Sequence, residues 1–326
     1  MKTVRLGTRG SPLALWQART VANAVNLQGT ASCKILIVKT SGDQLGKTKI
    51  DLDGKRLFVK EIEEALIDDE IDLAVHSAKD MPGTLPAGLK IGSVLRREDP
   101  RDAFVIPQKT PIKDMDFGGL VESLGDSPRI GTGSVRRIAQ IKRLWPSAIF
   151  LPIRGNLDTR LQKLDAGEYD ALVLAAAGLK RLGLSHRIAA TLSIEQCLPA
   201  PGQGAIAVEI RESDRLVSSL VTQCSDVRSK IAVSAERALV AGLGGDCQTP
   251  IGAFAQFIDE ELELRAVVTS LDGAKYITCC QRSHPKDAIS LGHEIAERLL
   301  AKGGDKILAE ALESRTEASG KTGDSS

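Results

Sequence analysis

The sequence predicts an α/β protein: two similar lobes with mainly parallel sheets, followed by a small C-terminal α+β domain. Three observations predict it. They are an internal duplication, a regular alternation of helix and strand through most of the chain, and a change of pattern near Asp226.

The first unit begins with a strand-like Thr3-Val4-Arg5-Leu6 that runs into Gly7-Thr8-Arg9-Gly10-Ser11, before an amphipathic helix from Leu13 to Val25. Ile130-Gly131-Thr132-Gly133-Ser134 repeats the device ahead of a helix from Val135 to Trp145. A second pair matches in the same order: Glu70-Ile71-Asp72-Leu73-Ala74-Val75 and Glu168-Tyr169-Asp170-Ala171-Leu172-Val173, each a buried-type strand after a helix. Two matches in one order make duplication the better explanation, and the alternation favours parallel pairing. The first unit is longer, and its excess falls near Ser41–Lys49, polar and glycine-punctuated, which reads as a mobile flap or a plain surface loop. Arg96–Asp102 and Leu198–Gly204 cross between the units, and Ala205–Ile210 reads as a strand returning to the first. Paired crossings between two similar lobes are expected to allow a hinge.

Beyond Asp226 a helix from Arg228 to Val240 leads into a turn around Cys247. Strand-like runs follow at Ile251–Phe257, Leu262–Thr269 and Lys275–Gln281, the last two joined at the hairpin signal Asp272-Gly273. A closing helix spans Ala288 to Ala301. The expected domains are residues 1–98 with 200–222, residues 99–199, residues 223–313, and a polar disordered tail at 314–326.

Composition removes several function classes. Lysine and arginine total 43 against 42 acidic residues in 326, and this net charge of +1 implies no global attraction to nucleic acid or anionic membrane. Aromatics at 3% are too few for stacking platforms, and no apolar run approaches a membrane span. No signal peptide is evident, six cysteines show no C-x-x-C pair, and the four histidines sit far apart. A soluble, cytoplasmic protein without metal is expected, and nothing suggests an obligate interface, so a monomer is too.

The chemistry points to the carboxyl ends of the strands, where open α/β sheets bind ligands. There lie His76-Ser77-Ala78-Lys79-Asp80-Met81-Pro82, then Arg9 and Ser11, then Thr132, Ser134, Arg136 and Arg137, then Arg154, Arg160 and Arg181. Guanidinium forks bind carboxylate or phosphate bidentately, and each Gly-Thr turn adds helix N-terminal N–H groups, so the cleft suits a ligand with several negative groups. Taken singly, any of these arginines is also a plausible solvated surface residue. Neither phosphate-loop glycine spacing is present. Asp80 reads as the only carboxylate within this cationic set, either stabilising a cationic intermediate or capping the turn before Met81-Pro82. Lys79 has a Schiff-base alternative, and His76 reads as a packed, hydrogen-bonded histidine. Cys247 sits in Gly242-Leu243-Gly244-Gly245-Asp246-Cys247-Gln248-Thr249-Pro250, whose glycines and proline stop helix and strand alike. A thiol on such a turn either reaches a cleft and is modified there or is a loop cysteine of no consequence.

In sum these segments resemble the porphobilinogen deaminase (hydroxymethylbilane synthase) family. The stretches that carry the resemblance include Thr8–Gln17, Leu57–Glu61, Ala74–Asp80, Arg97–Phe104, Gly131–Arg137, Arg154–Asn156, Ala177–Gly183, Gly202–Ala205 and Cys247–Ala253, in family order over nearly the whole chain. The resemblance implies two periplasmic-binding-protein-like lobes and a smaller third domain. It implies a dipyrromethane cofactor joined to Cys247 by a thioether, onto which four porphobilinogen units are deaminated and joined head to tail before hydroxymethylbilane is released by hydrolysis. Loss of ammonia leaves an azafulvene cation, which the family's aspartate, here Asp80, is thought to stabilise. Arg9, Ser11, Lys55, Ser77, Lys79, Thr132, Ser134, Arg136, Arg137, Arg154, Arg160, Arg181 and Gln203 carry over as cofactor or substrate ligands. Each pyrrole bears two acid side chains, and burying such charges is costly unless they are paired.

Two departures stand out. Asp51 replaces a lysine common near the flap end, although Lys55 is kept, and Asp246 replaces a glycine before Cys247, where a carboxylate should raise the thiol pKa. The two lobes and arginine-lined cleft also fit a solute-binding protein for a polyanion, but the missing signal peptide and the added Cys247 domain do not.

Overall fold

The computed structural model describes residues 2–40, 59–110, 115–245 and 249–320, with the backbone alone for 315–320. Four strands of the first sheet come from the first unit: β1 (Lys2–Thr8), β2 (Ala31–Ile37), β3 (Leu73–Ser77) and β4 (Leu89–Val94). The second sheet takes β5 (Asp102–Val105), β6 (Arg129–Gly131), β7 (Ile149–Leu151), β8 (Ala171–Ala175) and β9 (Ile188–Thr191). β10 (Ile206–Arg211) then returns to the first.

The strand orders, β2-β1-β3-β10-β4 and β7-β6-β8-β5-β9, are the same arrangement written twice. In each, the second strand in the order, β1 or β6, pairs in parallel with two neighbours, and one strand, β10 or β5, runs against the rest. That reversed strand is the one each sheet receives through a crossing. The duplication read from the Gly-Thr turns is therefore a duplication of topology, with the reversed strands exchanged.

Local sequence explains the elements that shape the cleft. The helix Pro12–Asn26 starts where Ser11 Oγ accepts the Ala14 N–H at 3.3 Å, with Pro12 in the first turn. Its buried Ala18, Val21, Ala22 and Val25 recur at helical spacing and pack on Val4, Leu6, Leu73 and Val75 of the sheet. Fully burying one such valine contributes about 1.5–3 kcal/mol. The helix Val135–Leu144 starts at Ser134 but buries Arg136, Arg137 and Gln140 beside Ala139 and Ile141.

In the C-terminal part, β11 (Ile251–Ile258), β12 (Glu261–Thr269) and β13 (Tyr276–Ser283) form an antiparallel meander under the helices Val227–Gly242 and Ala288–Leu299. These helices approach closely at Gly292, where a Cβ would meet the Ala235 carbonyl. Cys279 packs against this core while Cys280 is exposed, as strand alternation requires. The closing helix ends earlier than expected, at Leu299. A turn with Gly303 at φ 94° then redirects the chain into a further helix, Asp305–Gly320. Its backbone stays helical past Ser314, where composition predicts disorder: Ala309, Ala311 and Leu312 carry the helix, and Ile307 and Ala311 are buried. The stretch read as a flap, with Asp51 and Lys55, lies outside the described residues, as do Asp246 and Cys247.

Candidate active site

The cleft is built where strands of both sheets end. β3 delivers Ser77, whose Oγ accepts from Gln17 Nε2 at 2.9 Å, and a short turn, Ala78–Asp80, follows. That turn is held from behind. Ala78 N–H donates to the Ala205 carbonyl at 3.0 Å, and Gly202, at φ 74°, lies so close that a Cβ would press on Ala78 and the Lys79 amide. Glycine is required there on both counts. Asp80 emerges from this fixed turn exposed, and Lys79 beside it is half-buried. His76, one step back, is buried and bonded through Nε2 to Glu209 Oε2 at 3.0 Å, which fits a packed histidine.

From the second lobe, Thr132 is buried and its Oγ1 accepts the Ser134 N–H at 3.2 Å. Ser134 Oγ accepts the Arg137 N–H at 3.5 Å, so the hydroxyl keeps its own proton to donate. Lys79, Ser134 and Arg136 line a common cleft with Met81, Pro201, Arg237 and Thr249. Both lobes and the C-terminal part thus meet there, and Thr249 stands two positions after Cys247 in the chain.

One expectation is corrected. Asp80 is not the only carboxylate among these cations, because Asp102, at the start of β5, is fully buried among them. Its Oδ2 accepts from Arg136 Nη1 at 2.7 Å, and its Oδ1 accepts from Arg137 Nε at 2.9 Å and Gln203 Nε2 at 2.9 Å. Arg136 also donates to the Leu198 carbonyl at 2.7 Å and Arg137 to that of Val173 at 2.8 Å. The paired guanidiniums hold Asp102 well below the usual carboxylate range in spite of its burial. Arg136, Arg137 and Gln203 are thereby locked to both crossings. Yet Arg136 Nε and Gln203 Oε1 stay buried without a hydrogen-bond partner among the described residues.

The remaining arginines differ. Arg160 donates Nε–H to the Gly155 carbonyl at 2.8 Å, and burial with the nearby Arg137 lowers its pKa, Asp80 opposing. Arg181 donates to the Gly204 carbonyl at 2.7 Å and lies over the Trp16 ring, 5.7 Å from its centroid, so it bridges the lobes. Burial pulls it down to about 10. Arg154 is exposed, and Arg9 and Ser11 are half-buried at the first Gly-Thr turn. Lys79 is pulled down to about 8, first by burial and then by Arg137 and Arg136, with Asp80 and Asp102 opposing. Cations whose charge is disfavoured by burial and by one another are what an acid-rich ligand would relieve, so these residues fit a polycarboxylate group.

Sequence reasoning missed Asp102 and Arg237. Asp102 carries the only signal available, an acid opening the otherwise apolar run Asp102-Ala103-Phe104-Val105. Arg237 sits inside a regular helix and carries none.

Residues 4–219 match the family model described as porphobilinogen deaminase, dipyrromethane cofactor binding domain, and residues 230–301 match the porphobilinogen deaminase C-terminal domain. A porphobilinogen deaminase from Bordetella parapertussis is 44% identical, covering 96% of this chain and 97% of its own. One from Chromobacterium violaceum is 42% identical, covering 96% and 99%. Among solved structures, the periplasmic VFT2 domain of Bordetella pertussis BvgS is 18% identical, with a TM-score of 0.39 over 68% of this chain and 86% of that one, too distant to bear on the site. The two family matches and the relatives that span nearly the full length agree: the chain belongs to the porphobilinogen deaminase family.

Proposed function

We propose that this chain is a hydroxymethylbilane-forming transferase. It joins four porphobilinogen molecules head to tail on a dipyrromethane primer held by Cys247, with loss of ammonia at each step and hydrolytic release of the product. The observation that carries this reading is that Lys79 of one lobe, Ser134 and Arg136 of the other and Thr249 of the C-terminal part line one cleft, with Arg136 and Arg137 both bound to Asp102. When bound, the dipyrromethane supplies the carbon nucleophile at which chain growth begins.

The residues divide the work. Lys79, Arg160, Arg181, Arg9 and Arg154, with Lys55 from the flap, bind the carboxylates of the growing chain, and Ser11, Ser77, Thr132 and Ser134 donate or accept hydrogen bonds beside them. Arg136, which lines the cleft, binds the same ligands, with Arg137 and Gln203 beside it, while Asp102 fixes all three. Asp80, exposed at the end of a rigid turn, faces the positive charge that develops as ammonia leaves and moves the proton lost from the pyrrole carbon. The protein works in the cytoplasm as a monomer.

Asp80→Ala tests this assignment through porphobilinogen consumption and intact mass. We expect turnover to fall by at least about a thousandfold while the primer mass is retained, since general acid–base and electrostatic terms each contribute roughly a hundredfold or more. Near-normal turnover would leave Asp80 a turn cap. A polyanion-binding protein would consume no porphobilinogen in any variant.

A further inference from the structure

The helix Val227–Gly242 is rotationally fixed by Glu236, which is fully buried. Its carboxylate accepts from Arg97 Nη1 at 2.6 Å, from the Gly202 N–H at 2.6 Å and from the Ala255 N–H at 2.7 Å. One residue ties both crossings and the C-terminal sheet to this helix. The next residue, Arg237, lies about 100° further round and shares a face with Val240 three positions on. Both line the cleft that Lys79, Ser134, Arg136 and Thr249 also line.

Arg237 is half-buried there, and its hydrogen bond among the described residues runs from Nη2 to the Gly83 carbonyl at 3.0 Å. A guanidinium has five N–H donors, so the others have no hydrogen-bond partner among the described residues. No described carboxylate lies within ion-pair distance of it. Glu209 and Glu63 act on it only at longer range, and burial outweighs them in lowering its pKa. A desolvated arginine at hand for an anion is a built half-site.

We propose that Arg237 is a carboxylate-binding residue of the cleft, supplied by the C-terminal part of the chain, for the acid side chain of the ring tethered nearest Cys247. The inference rests on the function proposed above. It assigns to this residue the positioning of the primer's root. The opposite cleft wall, Lys79 and Ser134, reaches the same ring from the lobes.

The test compares full-length wild type with Cys247→Ser, which has no attachment sulfur, by arginine-selective labelling with phenylglyoxal and peptide mapping. Arg237 should label at least roughly fivefold more slowly in wild type, since a bidentate carboxylate occupies its fork. Equal labelling in a wild type that carries the primer mass overturns the proposal and leaves the function intact. A wild type without that mass overturns the function itself. In a second measurement, Arg237→Gln should reduce the fraction of freshly purified protein carrying the primer, and Arg237→Lys should restore part of it. If Arg237 merely balances Glu209 and Glu63, Arg237→Gln loses thermal stability and Arg237→Lys largely keeps it, while primer occupancy per folded molecule stays at the wild-type level in both.

Discussion

The two Gly-Thr turns open helices of opposite character. Behind Ser11 the helix buries Ala18, Val21, Ala22 and Val25, an ordinary apolar face on the first sheet. Behind Ser134 the equivalent helix buries Arg136, Arg137 and Gln140, which reach Asp102, Val173 and Leu198. Topology was duplicated, but the energetics of the two copies diverged. Both lobes have apolar cores, but the second helix, beside Ile141 in that core, adds a charged network that spans both crossings. A network of that kind is a weak source of net stability but a strict source of geometry, because every member constrains the others. Here it fixes Arg136, which lines the cleft.

The largest break in this comparison comes from Asp102→Asn. With Arg136 and Arg137 left facing a neutral amide in a buried site, stability should fall by roughly 3–5 kcal/mol. Thermal or urea unfolding reads the loss. The contrasting change in the first lobe, Val21→Ala, should cost about 1–2 kcal/mol through lost apolar area. If the two costs are equal, the charged network is only another form of packing. The sign of the acid response sharpens the distinction. Asp102 is depressed in the folded chain, so its stabilisation is present above about pH 4 and disappears as pH falls further. Asp102→Asn should lack that component, and Val21→Ala should keep it.

A smaller effect concerns Lys79. Folded, it is pulled down to about 8, while an unfolded lysine holds its proton to about 10.4. Between those values the unfolded chain binds more protons, so this site favours folding increasingly as pH rises. Carboxylates brought in with the primer favour the ammonium and push the value back up. The pH midpoint of Lys79 acetylation should therefore lie near 8 in Cys247→Ser and higher in primed wild type. An identical midpoint in both would separate Lys79 from the ligand.

The parts legible in the sequence were those with short-range signals. Gly131-Thr132-Gly133-Ser134 repeats Gly7-Thr8-Arg9-Gly10-Ser11 closely enough to reveal the duplication, and the return of Ala205–Ile210 to the first sheet followed from it. Arg136 and Arg137 were visible as cations. Their partner was not, because Asp102 lies 34 residues away from Arg136 and only the crossing brings them together. Arg237 was hidden for a related reason: helix periodicity says which residues share a face, not what that face meets. The final helix was missed because its polar residues resemble a tail in composition, whereas Ile307 and Leu308 give it a seat on the C-terminal core.

The central claim is that an acid-rich chain grows in an arginine-lined cleft while its root stays bonded to the Cys247 sulfur. The intact mass of freshly purified protein tests this most directly. It should exceed the sequence mass by two linked pyrroles, survive thiol reduction, and return to the sequence mass in Cys247→Ser. An active protein at bare sequence mass, or an adduct that persists in Cys247→Ser, would contradict it.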